Sequence, residues 1–235
     1  MIVFFEFEKA FYARHNFPVD FVGHPLLDIV KLTIEKDAFL KAHGLSPEKT
    51  IIALLPGSRA QEIKHILPVM LASAVMIQEK IPQAQFIIAK APQVSVEGYL
   101  EKSKLPVKII EGKTYECLQA ADFALVCSGT ATLETAIIGT PFAVIYRMGL
   151  LNYLLYRPQV KIPYIGMANI VAGRKIVPEF IQHKATASAI SHTVVDILKN
   201  PSLLSQMKIE LSQAKESLGA PGASIRAARI ILNTL

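Results

Sequence analysis

The sequence predicts an α/β protein built on a Rossmann-like, doubly wound parallel sheet. Three observations carry that prediction. Short apolar runs at Thr50–Leu55, Gln85–Ala89, Val107–Ile110, Phe123–Cys127 and Phe142–Tyr146 have the character of buried strands. The segments between them show helical spacing, clearest in Ile63, Ile66, Leu67, Met70, Leu71, Ala74 and Ile77. Strand and helix alternate along the chain, which makes successive strands parallel and joined by crossover helices.

The elements follow in order. Phe4 to Phe7 suits a strand or a lead-in segment, Glu8–His15 a short helix, and Phe21-Val22-Gly23 a strand ending in a turn. Ile34–His43 is helical and closed by Gly44, and Ser46-Pro47-Glu48 turns the chain into its first buried strand. Pro56-Gly57-Ser58-Arg59 is the next turn, ahead of a long helix over Glu62–Lys80 that Pro68 either bends or starts near. Helices at Val94–Lys102 and Tyr115–Ala120, a helix from Thr130 and one at Leu150–Arg157 complete the alternation. Pro163–Ile170 has no regular period and reads as irregular backbone. Glu179 and Gln182 share a face if a helix follows it. Thr186–Leu198, Leu203–Leu218 and Ala223–Leu235 are amphipathic helices.

The 235 residues suit one large domain, or one domain with extensions. A hydrophobic content of 51% against 19% charged residues supplies a core and argues against long disordered tails. Cys117 and Cys127 sit in apolar contexts with no metal-ligand spacing, so they read as reduced core thiols, and neither a metal nor a cofactor is expected. The apolar runs Ile66–Ile77 and Ile137–Tyr146 are too short or too interrupted to predict a membrane span. The first residues lack the basic start and small-residue cleavage site of a secretory signal.

The net charge of +6 is unevenly spread. From Tyr146 to Lys184 the chain carries Arg147, Arg157, Lys161, Arg174, Lys175 and Lys184 against one acid, Glu179. The same segment holds Leu150-Leu151-Asn152-Tyr153-Leu154-Leu155-Tyr156. Basic, apolar and aromatic residues together suit an anionic membrane surface or an anionic lipid; a solvated basic edge is the alternative. The spacing of these cations and the lack of a recognisable module speak against nucleic acid.

The segment richest in chemistry is Ser128-Gly129-Thr130-Ala131-Thr132-Leu133-Glu134, which follows a strand and opens a helix. A Ser-Gly-Thr turn at a helix N-terminus leaves backbone N–H groups unpaired at the positive end of the helix dipole, which favours a phosphate. A carboxylate at Glu134 is placed to accept hydrogen bonds from sugar hydroxyls. The ligand expected is phosphorylated and hydroxyl-bearing, such as a nucleotide sugar; an ordinary strand-to-helix turn is the alternative. Pro56-Gly57-Ser58-Arg59 is a second phosphate-compatible turn: Gly57 admits close approach, Ser58 can cap the helix and Arg59 offers a fork for a diphosphate. Asn169 and Ala172-Gly173-Arg174-Lys175 fall in irregular backbone, where ligand contacts gather. His24, in Gly23-His24-Pro25, suits either a ligand contact or hinge, or a hydrogen-bonded structural histidine. No carboxylate pair, Ser-His-Asp set or Cys-His set presents itself.

These residues resemble the lipid-A-disaccharide synthase family. The likeness rests on Phe7-Glu8-Lys9-Ala10-Phe11-Tyr12, Phe21-Val22-Gly23-His24-Pro25-Leu26, Leu54-Leu55-Pro56-Gly57-Ser58-Arg59, Ser128 through Glu134, Tyr146-Arg147-Met148, Asn169 through Arg174 and Pro178-Glu179, all in family order. The resemblance implies the C-terminal half of a GT-B glycosyltransferase. Residues 1–25 would be an interdomain crossing segment, and 26–235 the domain that binds the UDP-sugar donor. It implies transfer of 2,3-diacylglucosamine from UDP-2,3-diacylglucosamine to 2,3-diacylglucosamine 1-phosphate, inverting and β-1,6, without a metal. It places Gly57, Ser58, Arg59, Ser128, Gly129, Thr130, Glu134, Asn169, Arg174 and Glu179 at the substrate. The base that would activate the acceptor hydroxyl is expected in an N-terminal domain that the resemblance leaves mostly unmatched. The resemblance further implies a cytoplasmic protein, peripheral on the inner membrane. Apolar surface on residues 1–25 invites a homodimer. Two other readings stand beside this one: an inactive UDP-sugar binding module, and another GT-B enzyme of UDP-N-acetylglucosamine.

Overall fold

A computed structural model describes residues 1–149, 153 and 163–233. Its sheet is built from β3 (Ile51–Leu55), β4 (Gln85–Lys90), β5 (Val107–Glu111), β6 (Phe123–Cys127), β7 (Phe142–Tyr146) and β8 (Glu179–Ile181), all parallel, in the order β5-β4-β3-β6-β7-β8. From β3 the chain winds outward through β4 to β5. It then returns to lay β6 beside β3 and winds out the other way. β3 and β6 are therefore neighbours whose connections diverge, and their carboxyl ends bound a crevice. Leu55 pairs with Val126 there, so the turns after the two strands emerge side by side.

Burial explains the strands. β3 and β6 are buried at every position, as a central strand covered on both faces requires. β5, at the edge, exposes Lys108 and Glu111, charges that discourage pairing with another chain. Glu111 pairs with Lys90 of β4 at 2.6 Å.

The helices are α1 (Glu6–Ala13), α2 (Leu26–Ile29), α3 (Lys36–Ala42), α4 (Ala60–Lys80), α5 (Glu97–Ser103), α6 (Thr114–Ala120), α7 (Thr130–Ile138), α8 (Met167–Ala172), α9 (Ala187–Leu198), α10 (Pro201–Glu216) and α11 (Ala223–Leu232). α4 is the long helix expected from its apolar period, and Ile63, Ile66, Leu67, Met70 and Ile77 are all buried. It is longer than the apolar run within it and by length and composition alone could cross a membrane, but it packs against α9 in the core. Pro68 lies inside it, not at its first turn. Lys64, whose carbonyl loses its helical donor there, is exposed to water. α7 packs against α10 and α8. Cys117 and Cys127 are free and buried, and burial pushes both thiols up to about 12.

Three expectations need correction. Phe4 to Phe7 is not a strand: the strand is Ile2–Val3, and Glu6 already opens α1. Met167–Ala172 is a helix where irregular backbone was predicted, bounded by Gly166 and by Gly173 at φ 65°. Glu179 opens a strand beside β7 and Gln182 opens a 3₁₀ turn, so the two do not share a helical face. Both elements are too short to print a period on the sequence. The helix expected at Leu150–Arg157 lies outside the described residues apart from Tyr153.

The N-terminal residues form a separate two-stranded parallel sheet, β1 (Ile2–Val3) with β2 (Asp20–Phe21). The Arg226 side chain of α11 donates to the Val22 carbonyl through Nε (2.9 Å) and Nη2 (2.7 Å). The Gly222 N–H donates to Asp28 at 2.7 Å, and the His24 N–H to the Leu218 carbonyl at 2.9 Å. The first part of the chain is thus pinned to the last. His24 takes the structural alternative: its Nδ1 accepts the Leu26 N–H at 3.2 Å, and the ring lies 4.8 Å from that of Phe5. α1 buries no residue, and Met1, Phe4, Phe7, Phe11 and Phe17 are exposed.

Candidate functional site

The turns after β3 and β6 face one another across a cavity of about 510 Å³. Gly57, Ser58, Arg59 and Glu62 line it from the first turn, and Ser128, Gly129, Thr130 and Glu134 from the second. Thr114 of α6 joins them.

The first turn is already filled. Glu62 stands at the third helical position of α4 and reaches back over the helix start, the spacing of a capping box. Its Oε2 accepts the N–H groups of Ser58 (2.8 Å) and Arg59 (3.1 Å), and its Oε1 accepts Arg59 Nη1 at 2.9 Å. Gly57 has φ 114°, and a Cβ there would collide with Glu62 Oε2. The close approach that Gly57 permits is therefore that of the protein's own carboxylate. Glu62 was missed in the sequence reading, although a glutamate three residues past a helix N-cap is a readable signal. The Arg59 side chain is 79% exposed and has only Glu62 as a partner among the described residues, which leaves most of its fork for a ligand.

The second turn is open. The Ser128 N–H donates to the Ile145 carbonyl at 3.0 Å, continuing the strand ladder, and its hydroxyl donates to the Ile165 carbonyl at 3.1 Å. Gly129 has φ 144°, which a side chain would strain, and open space where a Cβ would stand. The Thr132 hydroxyl donates to the Gly129 carbonyl (2.8 Å) and accepts the Met167 N–H (2.9 Å), tying the turn to α8. The N–H groups of Gly129, Thr130 and Ala131 meet no acceptor among the described residues. They stand at the positive end of α7, a ready anion site.

Glu134 lies one helical turn further on. Burial pushes its carboxyl pKa up, and a hydrogen bond from the Tyr115 hydroxyl to Oε1 at 3.2 Å pulls against that. Burial and the neighbouring Glu134 push Tyr115 up to about 12, so it stays a donor at neutral pH. Glu134 and Thr114 also line an adjoining hollow with Lys31, Lys113 and Tyr115, so the cavity continues past the carboxylate.

Asn169, Glu179 and Arg174 do not line this cavity. Asn169 is fully buried. Its Oδ1 accepts the N–H groups of Ile176 (2.7 Å) and Val177 (2.9 Å), and its Nδ2 donates to the Val177 carbonyl (3.0 Å) and Glu179 Oε1 (2.8 Å). Glu179 also accepts the N–H groups of Ile165 (3.1 Å) and Gly166 (2.9 Å). The pair fixes the loop whose Ile165 carbonyl receives the Ser128 hydroxyl. The family resemblance implies these residues at the substrate; in the fold they stand behind the turn that lines the cavity. Arg174 is paired with Glu210 of α10 at 2.6 Å. The basic stretch around Leu150–Arg157 and Lys161 lies outside the described residues, Tyr153 excepted.

Comparison with known proteins agrees with this architecture. The lipid-A-disaccharide synthase of Syntrophus aciditrophicus is 41% identical over the whole of this chain and 62% of its own length. That of Geobacter sulfurreducens is 38% identical with the same coverage. This chain thus spans about three fifths of the length of these relatives. Among solved structures, UDP-GlcNAc 2-epimerase from Neisseria meningitidis bound to UDP-GlcNAc matches 99% of this chain and 60% of its own at a TM-score of 0.66 and 16% identity. A glycotransferase of kitacinnamycin matches 80% of this chain and 43% of its own at a TM-score of 0.53 and 18% identity. These likenesses show the fold, the helix-flanked parallel sheet of GT-B glycosyltransferases and epimerases. The sequence model of the lipid-A-disaccharide synthetase family matches residues 1–229, and the chain belongs to that family.

Proposed function

We propose that this chain binds the UDP-sugar donor of a lipid-A-disaccharide synthase, the inverting β-1,6 transfer of 2,3-diacylglucosamine from UDP-2,3-diacylglucosamine to 2,3-diacylglucosamine 1-phosphate. The observation that carries the reading is the open amide set of Gly129, Thr130 and Ala131 opposite Arg59, at the point where the sheet changes winding direction. The diphosphate takes those N–H groups and the free part of the Arg59 fork. Glu134, with Oε1 held by Tyr115, turns its remaining acceptor capacity to the ribose hydroxyls. Asn169 and Glu179 act by holding the loop behind Ser128, and Arg174 by fastening α8 to α10.

The chemistry follows from the charges. As the bond from sugar to diphosphate breaks, negative charge grows on the leaving phosphate. Pre-oriented amides and Arg59 stabilise that charge more than they stabilise the ground state. The acceptor's hydroxyl attacks from the opposite face, which inverts the anomeric centre. No residue of this chain is assigned as the base. The reading puts the protein at the cytoplasmic surface of the inner membrane, where both lipid substrates reside, and the basic composition from Tyr146 to Lys184 supports it. A homodimer covering the aromatic face of α1 belongs to the same reading.

The test is to titrate the folded chain with UDP-2,3-diacylglucosamine in detergent, displace it with UDP, and assay transfer to 2,3-diacylglucosamine 1-phosphate. The reading expects saturable binding that UDP reverses and that Glu134→Ala weakens. A folded chain that binds neither donor nor UDP contradicts it.

A further inference from the structure

A second cavity, of about 470 Å³, lies between the first half of α4 and the carboxyl end of β7. Lys64, His65, Arg147 and His183 line it, and no acid does among the described residues. It shares no residue with the cavity between the two turns. Both open at the same edge of the sheet, with α4 between them.

Three features distinguish this hollow from an ordinary basic surface. First, its cations are uncompensated. None of the four has a hydrogen bond or ion pair to an acid among the described residues, and the chain contains no Asp or Glu from Tyr146 through Pro178. The two acids nearest in sequence are occupied elsewhere: Glu62 by Ser58 and Arg59, Glu179 by Ile165, Gly166 and Asn169. Second, the backbone beside Arg147 is held in place. Gln182 accepts the Met148 N–H at 2.8 Å and donates to the Met148 carbonyl at 2.9 Å. It does so from φ 51°, a backbone conformation that residues other than glycine rarely adopt. Third, apolar Pro68 and Met148 share the wall with these cations and with Gln182. A compact anion with a less polar group attached fits such a wall.

We propose that this cavity is a second anion site that takes a phosphate monoester through Lys64 and Arg147, with His65 and His183 beside them. A guanidinium and an ammonium lining one cavity without a carboxylate suit a doubly charged phosphate with several acceptor oxygens. The proposal narrows the membrane-facing basic segment of the reading above to one place, yet it stands apart from nucleotide binding because the two cavities share no residue. The phosphate can belong to a water-soluble sugar phosphate or to a phospholipid headgroup.

The experiment uses the full chain and two probes. Glucosamine 1-phosphate is titrated by calorimetry in the presence of saturating UDP, and vesicles of phosphatidylcholine with or without phosphatidic acid are tested by co-sedimentation. The double variant Lys64→Gln with Arg147→Gln is compared with Lys208→Gln with Lys215→Gln, which removes equal charge from exposed positions of α10. Thermal melting checks that each is folded, and Arg147→Gln alone gives the same direction if the double variant is not. The expected result is at least tenfold weaker binding of a phosphorylated probe by the first variant only, with UDP affinity unchanged. Binding of the sugar phosphate identifies the soluble source, and binding of phosphatidic acid vesicles alone identifies the headgroup; either supports the site. The proposal is overturned if the unmodified chain binds neither probe, or if both double variants lose binding equally.

Discussion

The Glu62 carboxylate occupies the place above the β3–α4 turn that a ligand phosphate would otherwise take, and it holds Arg59 by a 2.9 Å ion pair while doing so. The two phosphate-compatible turns are therefore unequal. One offers the Arg59 side chain, with the Ser58 and Arg59 N–H groups taken by Glu62; the other offers three N–H groups and no cationic side chain. A diphosphate that spans the cavity meets the amides of the β6–α7 turn on one side and Arg59 on the other.

Arg59→Ala should weaken UDP binding by about 1.5–3 kcal/mol, the range for a charge-assisted hydrogen bond. Folding should be almost unaffected, because the side chain is largely exposed and such an ion pair contributes little in water. Calorimetry with UDP and a thermal melt check both; an unchanged dissociation constant removes Arg59 from the site.

Gly129→Ala should cost about 1–3 kcal/mol of stability through backbone strain alone, since φ is 144° and nothing stands near the added carbon. UDP binding should fall in the variant even at temperatures where it stays folded, because relieving the strain re-aims the N–H groups of Thr130 and Ala131. Urea unfolding and UDP titration of the same sample separate the two effects.

Asn169→Leu keeps roughly the volume and removes every polar atom. It leaves the Ile176 and Val177 N–H groups without their acceptor in a buried position, at about 1–3 kcal/mol each. A loss of at least about 3 kcal/mol in urea unfolding is expected. A loss below about 1 kcal/mol would mean that the β8 side of the site holds without it.

What was legible in the sequence follows from what is local. β6 and β7 match their predicted bounds because a strand buried on both faces must be apolar throughout. α4 was readable because a long helix repeats its apolar stripe several times. α8 and β8 were not, because six and three residues cannot show a period; they are held by the Asn169 bonds and by pairing with β7. The turns at Gly57 and Gly129 were both recognised, but a glycine in sequence does not reveal what approaches it. At Gly57 the visitor is Glu62, and at Gly129 the space is open. The polar type of Asn169 was noticed too, while its burial depends on residues from Ile176 to Glu179 folding around it.

His24 gives a pH dependence whose sign can be worked out. Burial holds its imidazole below the ordinary 6.5, with Glu8 opposing, and its Nδ1 must be unprotonated to accept the Leu26 N–H. The unfolded chain binds that proton more readily, so the contribution is fully present above the unfolded value and is lost as pH falls through the lower folded one. Stability of the unmodified chain should decline between about pH 7 and pH 5 more steeply than that of His24→Asn. Parallel curves for the two proteins would rule the contribution out.

The most direct test of the central claim is a calorimetric titration of the folded chain with UDP and, separately, with UMP. If the β6–α7 amides and Arg59 hold a diphosphate, UDP binds one to one and at least about tenfold more tightly than UMP, the equivalent of one charge-assisted contact. UDP binding no tighter than UMP, or no heat from either with a folded sample, would contradict the account.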